Sequence, residues 1–263
     1  MMMICDAHVH VGYYPRIDYD EITYYSPCRV VGVLNRCGVS EFIVSSTCAQ
    51  IKGIGIDDIL REAQEIKRLC GTRAHVFFWL SGHLYDLDRR LRWLESGLFE
   101  GVKFHNDETP WIMNRSKDLY KILDRIAQCE MPVLFHGGIN QGSRPSQISQ
   151  VASEYPDVRF CIAHCRPMVE VVRVISERPN VWTDTAYMRL EDFKFLGAYD
   201  WRNRLMFGTD LPVWQAHENC SLTRRYREYC VGFKNTGLER IAIKAFQEFL
   251  NIKKKGKEDA ILY

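Results

Sequence analysis

Two histidines stand two residues apart near the start of the chain, in Cys5-Asp6-Ala7-His8-Val9-His10. Side chains alternate along a β-strand, so His8 and His10 share one face and Val9 takes the other. Two imidazoles on one face can grip one ion. The carboxyl end of a first strand is also where a (β/α)8 barrel places its chemistry, and any further ligands must then stand at the ends of later strands.

Groups of that kind recur where apolar runs stop. Lys103 and His105 end Gly101-Val102-Lys103-Phe104-His105, and His136 ends the run that begins at Pro132. His164 ends Val158 to His164, and Asp210 ends Arg204 to Asp210. Buried strands otherwise end in residues that cost little to bury. In a barrel all carboxyl ends converge on one mouth, so groups far apart in sequence become neighbours there. His75, His83 and His217 lack that placement. Cys161 and Cys165 flank His164, but a CxxxC spacing reads here as packing and not as a zinc-thiolate site.

The elements that must carry these groups follow from the hydrophobic pattern. Strands are expected over 4–11, 41–46, 75–80, 101–105, 132–138, 158–164, 180–185 and 204–210. Ser26-Pro27 caps a first helix that Gly38 ends, and Asp57 or Asp58 caps a second running to Leu69. Further helical spacing follows at 87–94, after Ser116, at 148–155 and 169–175, with a short piece near Phe193. A last helix, Leu238 to Leu250, is expected to close the outer ring, and Gly12 to Tyr25 reads as a long loop. Near-continuously apolar strands alternating with helices call for a parallel sheet buried on both faces. The fold class is α/β, a (β/α)8 barrel. A doubly wound open sheet is the competitor, but no Gly-rich turn follows the first strand.

A chain of 263 residues fits one such barrel, so 1–263 is read as one domain with a flexible basic tail from about 253, where Lys253, Lys254, Lys255 and Lys257 cluster. The net charge of +2 offers no field for nucleic acid or a membrane surface. No charged n-region precedes a long apolar stretch, so neither a signal peptide nor a spanning helix is expected. Ten cysteines without a spacing framework suggest reduced thiols and a cytoplasmic setting. The partner this composition leaves is a small-molecule substrate, and self-association into a homo-oligomer is compatible with it.

The segments DAHVH, GVKFH, VLFHGG, CIAHC and FGTDLP, in that order, resemble the amidohydrolase superfamily, and within it the branch of aminocarboxymuconate-semialdehyde decarboxylase-like enzymes. The resemblance covers nearly the whole chain, from Asp6 to the last helix. A TatD-type deoxyribonuclease would carry a glutamate after the fourth strand, where this chain has Lys103 and His105.

The resemblance implies a barrel with one divalent metal ion, Zn2+ favoured over Mn2+ or another ion, held by His8, His10, His136 and Asp210 with one position left for water. It also implies that His164 hydrogen-bonds this water, with Asp210 sharing the proton as ligand and base. Lys103 and His105 would line the mouth. Some superfamily members carboxylate a lysine after the fourth strand to bridge two metals, but the decarboxylase-like branch manages with one. Arg144, Arg166 and Arg189 fall just beyond the fifth, sixth and seventh strands, where a guanidinium could hold a substrate carboxylate. Tyr13, Tyr14, Trp79, Trp111 and Trp214 are candidate pocket walls. The function expected is hydrolysis of an amide, ester or lactone bond in a small, acidic substrate. Non-oxidative decarboxylation or hydration on the same site is the alternative, and a non-catalytic metal-binding barrel comes third.

Overall fold

The computed structural model describes residues 4–15, 22–50, 56–80, 87–105, 117–213 and 221–251. Nine strands form one sheet: β1 (Ile4–Pro15), β2 (Ile22–Tyr25), β3 (Val39–Ser46), β4 (Ala74–Leu80), β5 (Gly101–Phe104), β6 (Val133–Phe135), β7 (Phe160–Ile162), β8 (Val181–Asp184) and β9 (Leu205–Met206). From β1 through β3 to β9 every pairing is parallel. The ring then closes, because Val9 pairs in parallel with Leu211, and Ala7 N donates to Phe207 O at 2.8 Å and His10 N to Leu211 O at 2.7 Å. These are the eight strands of a (β/α)8 barrel, each near the position the apolar runs marked.

The helices of the described residues are α1 (Pro27–Arg36), α2 (Ile56–Cys70), α3 (Leu87–Leu94), α4 (Lys117–Gln128), α5 (Pro145–Glu154), α6 (Met168–Glu177), α7 (Leu222–Lys234) and α8 (Glu239–Phe249). Ser26 caps α1, its hydroxyl accepting from Arg29 N. Asp57 and Asp58 lie inside the first turn of α2, where carboxylates favour a helix N-terminus. Residues Leu190–Ala198 form a 3-10 stretch in place of a full helix after β8.

Two apolar layers result. Val44, Val76, Val102 and Phe135 face outward onto helix residues such as Ile59, Leu123 and Ile148. Inside the barrel, Ile43, Phe77, Leu134, Cys161, Trp182 and Met206 pack with Ala245, Phe246 and Phe249. The last helix therefore does not close the outer ring as expected. It plugs the amino-terminal end of the barrel, and α7 takes the place beside α1 in the outer layer. An amphipathic helix has the same sequence pattern in either place, since both bury one face.

The long loop expected at 12–25 is also corrected in part. Gly12 to Pro15 and Ile22 to Tyr25 pair antiparallel, Tyr13 opposite Tyr24, so β1 runs on past the barrel rim into a two-stranded ribbon. Residues 16–21 lie outside the described residues, as do His83, Trp111, Trp214, His217 and the basic tail. No helix among the described residues is long and apolar enough to cross a membrane.

Candidate metal centre

The centre begins with an irregularity in β1. Asp6 pairs with Phe42 and Val9 with Val44, so β1 spends one residue more than β3 over this span. Such a bulge shifts the side-chain alternation and re-aims the residues beyond it. Below it Cys5 and Ala7 face the barrel interior; above it His8 and His10 do. Asp6 pins the bulge. Its Oδ1 accepts from His8 N at 3.0 Å and Thr209 N at 3.1 Å, and its Oδ2 from Thr209 Oγ1 at 2.6 Å and Tyr226 Oη at 2.8 Å. Burial still pushes this carboxyl up to about 7. Gly208 makes the space on the neighbouring strand, since a Cβ there would stand 3.2 Å from His8 Cβ and 3.1 Å from Asp184 Cβ.

Each imidazole is oriented from behind. His8 Nδ1 lies 3.0 Å from Asp184 Oδ2, and His10 Nδ1 lies 3.0 Å from Ser45 Oγ. Donation from both Nδ1 atoms leaves both Nε2 lone pairs facing inward. There His8 Nε2 and His10 Nε2 stand 3.0 Å apart, with Asp210 Oδ1 at 3.6 and 3.0 Å from them. A tetrahedral ion bound at about 2.0–2.1 Å sets its ligand atoms about 3.3–3.4 Å apart. The triangle fits such an ion. Two lone pairs and a carboxylate oxygen packed this closely repel one another, and a cation between them is what relieves that.

The electrostatics agree with that use. Burial pushes His10 down to about 4 and His164 to about 3, and sends His136 well below the usual histidine value, helped by the charges of Lys103 and Arg166. These imidazoles are neutral donors at pH 7. Burial works against the Asp210 charge, but positive charge beside it at His8 and a proton donated from His10 would outweigh burial and hold the carboxyl well below the usual range, the part a bound cation takes when both imidazoles are neutral.

The other expected residues gather around this triangle. A cavity of about 150 Å³ is lined by His8, His10, Asp210, Lys103, His105, His136 and His164, with Tyr14 and Trp79 beside them. Lys103 is buried, its Nζ 3.2 Å from His8 Nε2 and 5.7 Å from the Trp79 ring centre. His105 stacks on His136 with ring centres 4.0 Å apart. His136 Nδ1 faces His164 Nε2 at 3.0 Å, and no converging set of three donors among the described residues includes His136. His164 Nδ1 lies 3.0 Å from the Ala186 carbonyl, which leaves Nε2 as its proton-accepting atom.

Asp184 completes a second convergence with His8 and His164. Its Oδ1 already accepts from His164 N and Ala186 N, each at 2.9 Å, and its Oδ2 from His8. A carboxylate so occupied orients histidines. Sequence reasoning placed neither Asp184 nor Asp6 among the site residues; the signal available was an acid two residues before His8 and another near the end of the seventh apolar run. Of the arginines, Arg166 borders a cavity next to His164, Arg189 is paired to Asp192 and Glu191, and Arg144 is exposed.

The model of the amidohydrolase family matches residues 86–222, just over half of the chain. The chain belongs to the amidohydrolase family. No curated protein matches this amidohydrolase in sequence. Its fold matches a probable 2-pyrone-4,6-dicarboxylic acid hydrolase from Acinetobacter baumannii, solved with citric acid bound, at TM-score 0.67 and 12% identity over 95% of this chain and 100% of that one. A dihydroorotase from Campylobacter jejuni superposes at TM-score 0.61 and 12% identity, covering 96% and 84% of the two chains. A 2,6-dihydroxybenzoate decarboxylase from Rhizobium superposes at 0.58 and 13%, covering 95% and 98%. At such identities the likeness is one of fold, that of barrel amidohydrolases.

Proposed function

We propose that this amidohydrolase is a metal-dependent hydrolase acting on an amide, ester or lactone bond in a small carboxylated molecule. The observation that carries the reading is the triangle of His8 Nε2, His10 Nε2 and Asp210 Oδ1, with sides of 3.0, 3.0 and 3.6 Å and each imidazole held from behind. His8, His10 and Asp210 would hold the ion, with His136, which lines the same cavity, as the fourth ligand that the resemblance implies. A divalent ion there supplies Lewis-acid polarisation of a carbonyl oxygen and lowers the pKa of water from about 15.7 to about 7. Neutral imidazoles with one carboxylate favour a borderline ion, and Zn2+ is the one we assign.

The chain's own groups do the rest. His164, its Nδ1 held by the Ala186 carbonyl, takes the proton of the attacking water at Nε2 in exchange for the 3.0 Å contact of that atom with His136 Nδ1, and returns it to the leaving group. Asp210 stays ionised, and its Oδ2, 4.0 Å from His164 Nδ1, places a negative charge beside the ring that takes the proton. Lys103, an unmodified ammonium in this reading, adds positive charge where oxygen becomes negative, in a buried site where charge acts strongly. Nine free cysteines among the described residues suit a reducing compartment, and we place the protein in the cytoplasm.

Carbon–carbon cleavage is the second reading, and the likeness to a decarboxylase fold favours keeping it. A screen of lactones, amides and aromatic carboxylates, scored for acid release and for CO2, separates the two. Acid release that is abolished by chelation supports the hydrolase; CO2 without net acid replaces it with the decarboxylase.

A further inference from the structure

His164 belongs to the walls of two cavities. The one at the metal centre measures about 150 Å³. Ligand cavities usually measure roughly 300–1,000 Å³. A ligand of the size such cavities hold, reacting at the centre, extends out of it. The second cavity, about 560 Å³, shares His164 with the first and lies among the segments that follow β7 and β8.

The lining of this second space is specific. Tyr187, Phe195 and Tyr199 supply rings, and Phe195 is 50% exposed although apolar. Arg166 supplies a cation. Its Nε donates to the Gly137 carbonyl at 3.3 Å and its Cζ lies 5.9 Å from the Tyr187 ring centre, and no carboxylate of the described residues pairs with it. The nearby Arg189 is different, since Asp192 takes its Nε and Nη2 at 2.9 Å each and Glu191 its Nη1 at 2.8 Å. Asp192, the one acid among the described residues that line this cavity, is thereby neutralised. Arg144 hydrogen-bonds the Ile139 carbonyl and borders neither cavity. What is left, in a recess that three aromatic rings and two methionines help to line, is a half-buried guanidinium whose terminal nitrogens can form a two-pronged pair with an anion.

We propose that this second cavity is a subsite for a carboxylate-bearing aromatic arm of the substrate, with Arg166 as the partner of the carboxylate. Its meaning for catalysis rests on the hydrolase reading above, but occupation of the subsite does not require the metal. The backbone places the guanidinium: His164 and Cys165 both take left-handed conformations, φ 69° and 46°, between the end of β7 and Arg166. Such angles are uncommon for side-chain-bearing residues and persist where surrounding structure imposes them. One turn thus sets both the proton-accepting imidazole and the anion-binding guanidinium, and fixes which end of a substrate lies at the metal.

The test is calorimetric titration of benzoate, and of its neutral counterpart benzamide, into chelator-treated protein. Benzoate is expected to bind at least about tenfold more tightly than benzamide, the usual margin for a hydrogen-bonded charge over a neutral partner. Arg166→Gln should erase that margin and Arg189→Gln should keep most of it. Should the glutamine variant fail to fold, Arg166→Lys keeps the charge and loses the fork, and is expected to bind benzoate more weakly than the parent. Equal binding of the two ligands, an undiminished margin in a folded Arg166 variant, or benzoate binding only when metal is restored would each overturn the subsite. Loss of turnover on chelation concerns the metal reading alone, so the two fail separately.

Discussion

His8 and Asp184, 176 residues apart in the chain, meet at 3.0 Å with both side chains buried. The contact joins the first strand of the barrel to the seventh parallel one across its interior. It fixes which nitrogen of His8 carries the proton, and so turns the other toward His10 and Asp210. Asp184 in turn is held by two backbone amides beyond β7 and β8, those of His164 and Ala186. One carboxylate therefore positions both a proposed ligand and the segment that carries the proposed proton acceptor.

Asp184→Asn is expected to keep the amide bonds at Oδ1 while presenting a donor to His8 Nδ1. His8 then loses its fixed tautomer. Affinity for the divalent ion should fall about 10–100-fold, the usual effect of removing a carboxylate behind a ligating histidine. Competition with a chromophoric chelator reads this directly, and an unchanged affinity would detach Asp184 from the centre.

His164→Ala separates proton transfer from metal binding. Metal content should stay near that of the parent, while turnover falls by roughly 10²- to 10⁴-fold, the usual share of a positioned acid or base. Metal lost in proportion to activity would make His164 a ligand. Retained activity would make it a bystander.

Much of this arrangement was legible in the sequence because parallel strands buried on both faces are written as apolar runs, and a polar residue closing such a run stands out. His8, His10, Lys103, His136, His164 and Asp210 are of that kind, and all border one cavity. The bulge at Asp6 to Val9 was not legible, since it depends on the pairing register with β3 and on Thr209 and Tyr226, which come from the far end of the chain. Asp184 read as one more polar residue in Thr183-Asp184-Thr185 until β8 met β1. Glu62 was hidden for the same reason: it looks like a solvated residue of α2, but it is buried and accepts from Ser46 and Cys48 at the end of β3.

At the opposite end of the barrel, Glu100 ties three elements by accepting from His75 at 2.6 Å and from Lys67. Burial opposes its charge, but these two partners outweigh it and hold the carboxyl below its usual value. A carboxyl depressed in the folded state adds stability above its unfolded pKa and loses it as pH falls through the folded value. The parent should therefore exceed Glu100→Gln in urea unfolding at pH 7, and the gap should narrow steadily below about pH 4.3, the ordinary glutamate value. A gap independent of pH would mean that the carboxylate charge contributes nothing there.

The central claim is that His8 and His10 share one ion, and the metal content of the purified protein tests it most directly. Inductively coupled plasma mass spectrometry should find close to one equivalent of a divalent transition metal per chain. In the His8→Ala/His10→Ala double variant it should find almost none, with the circular dichroism of an intact barrel. Full occupancy in that folded double variant would contradict the account.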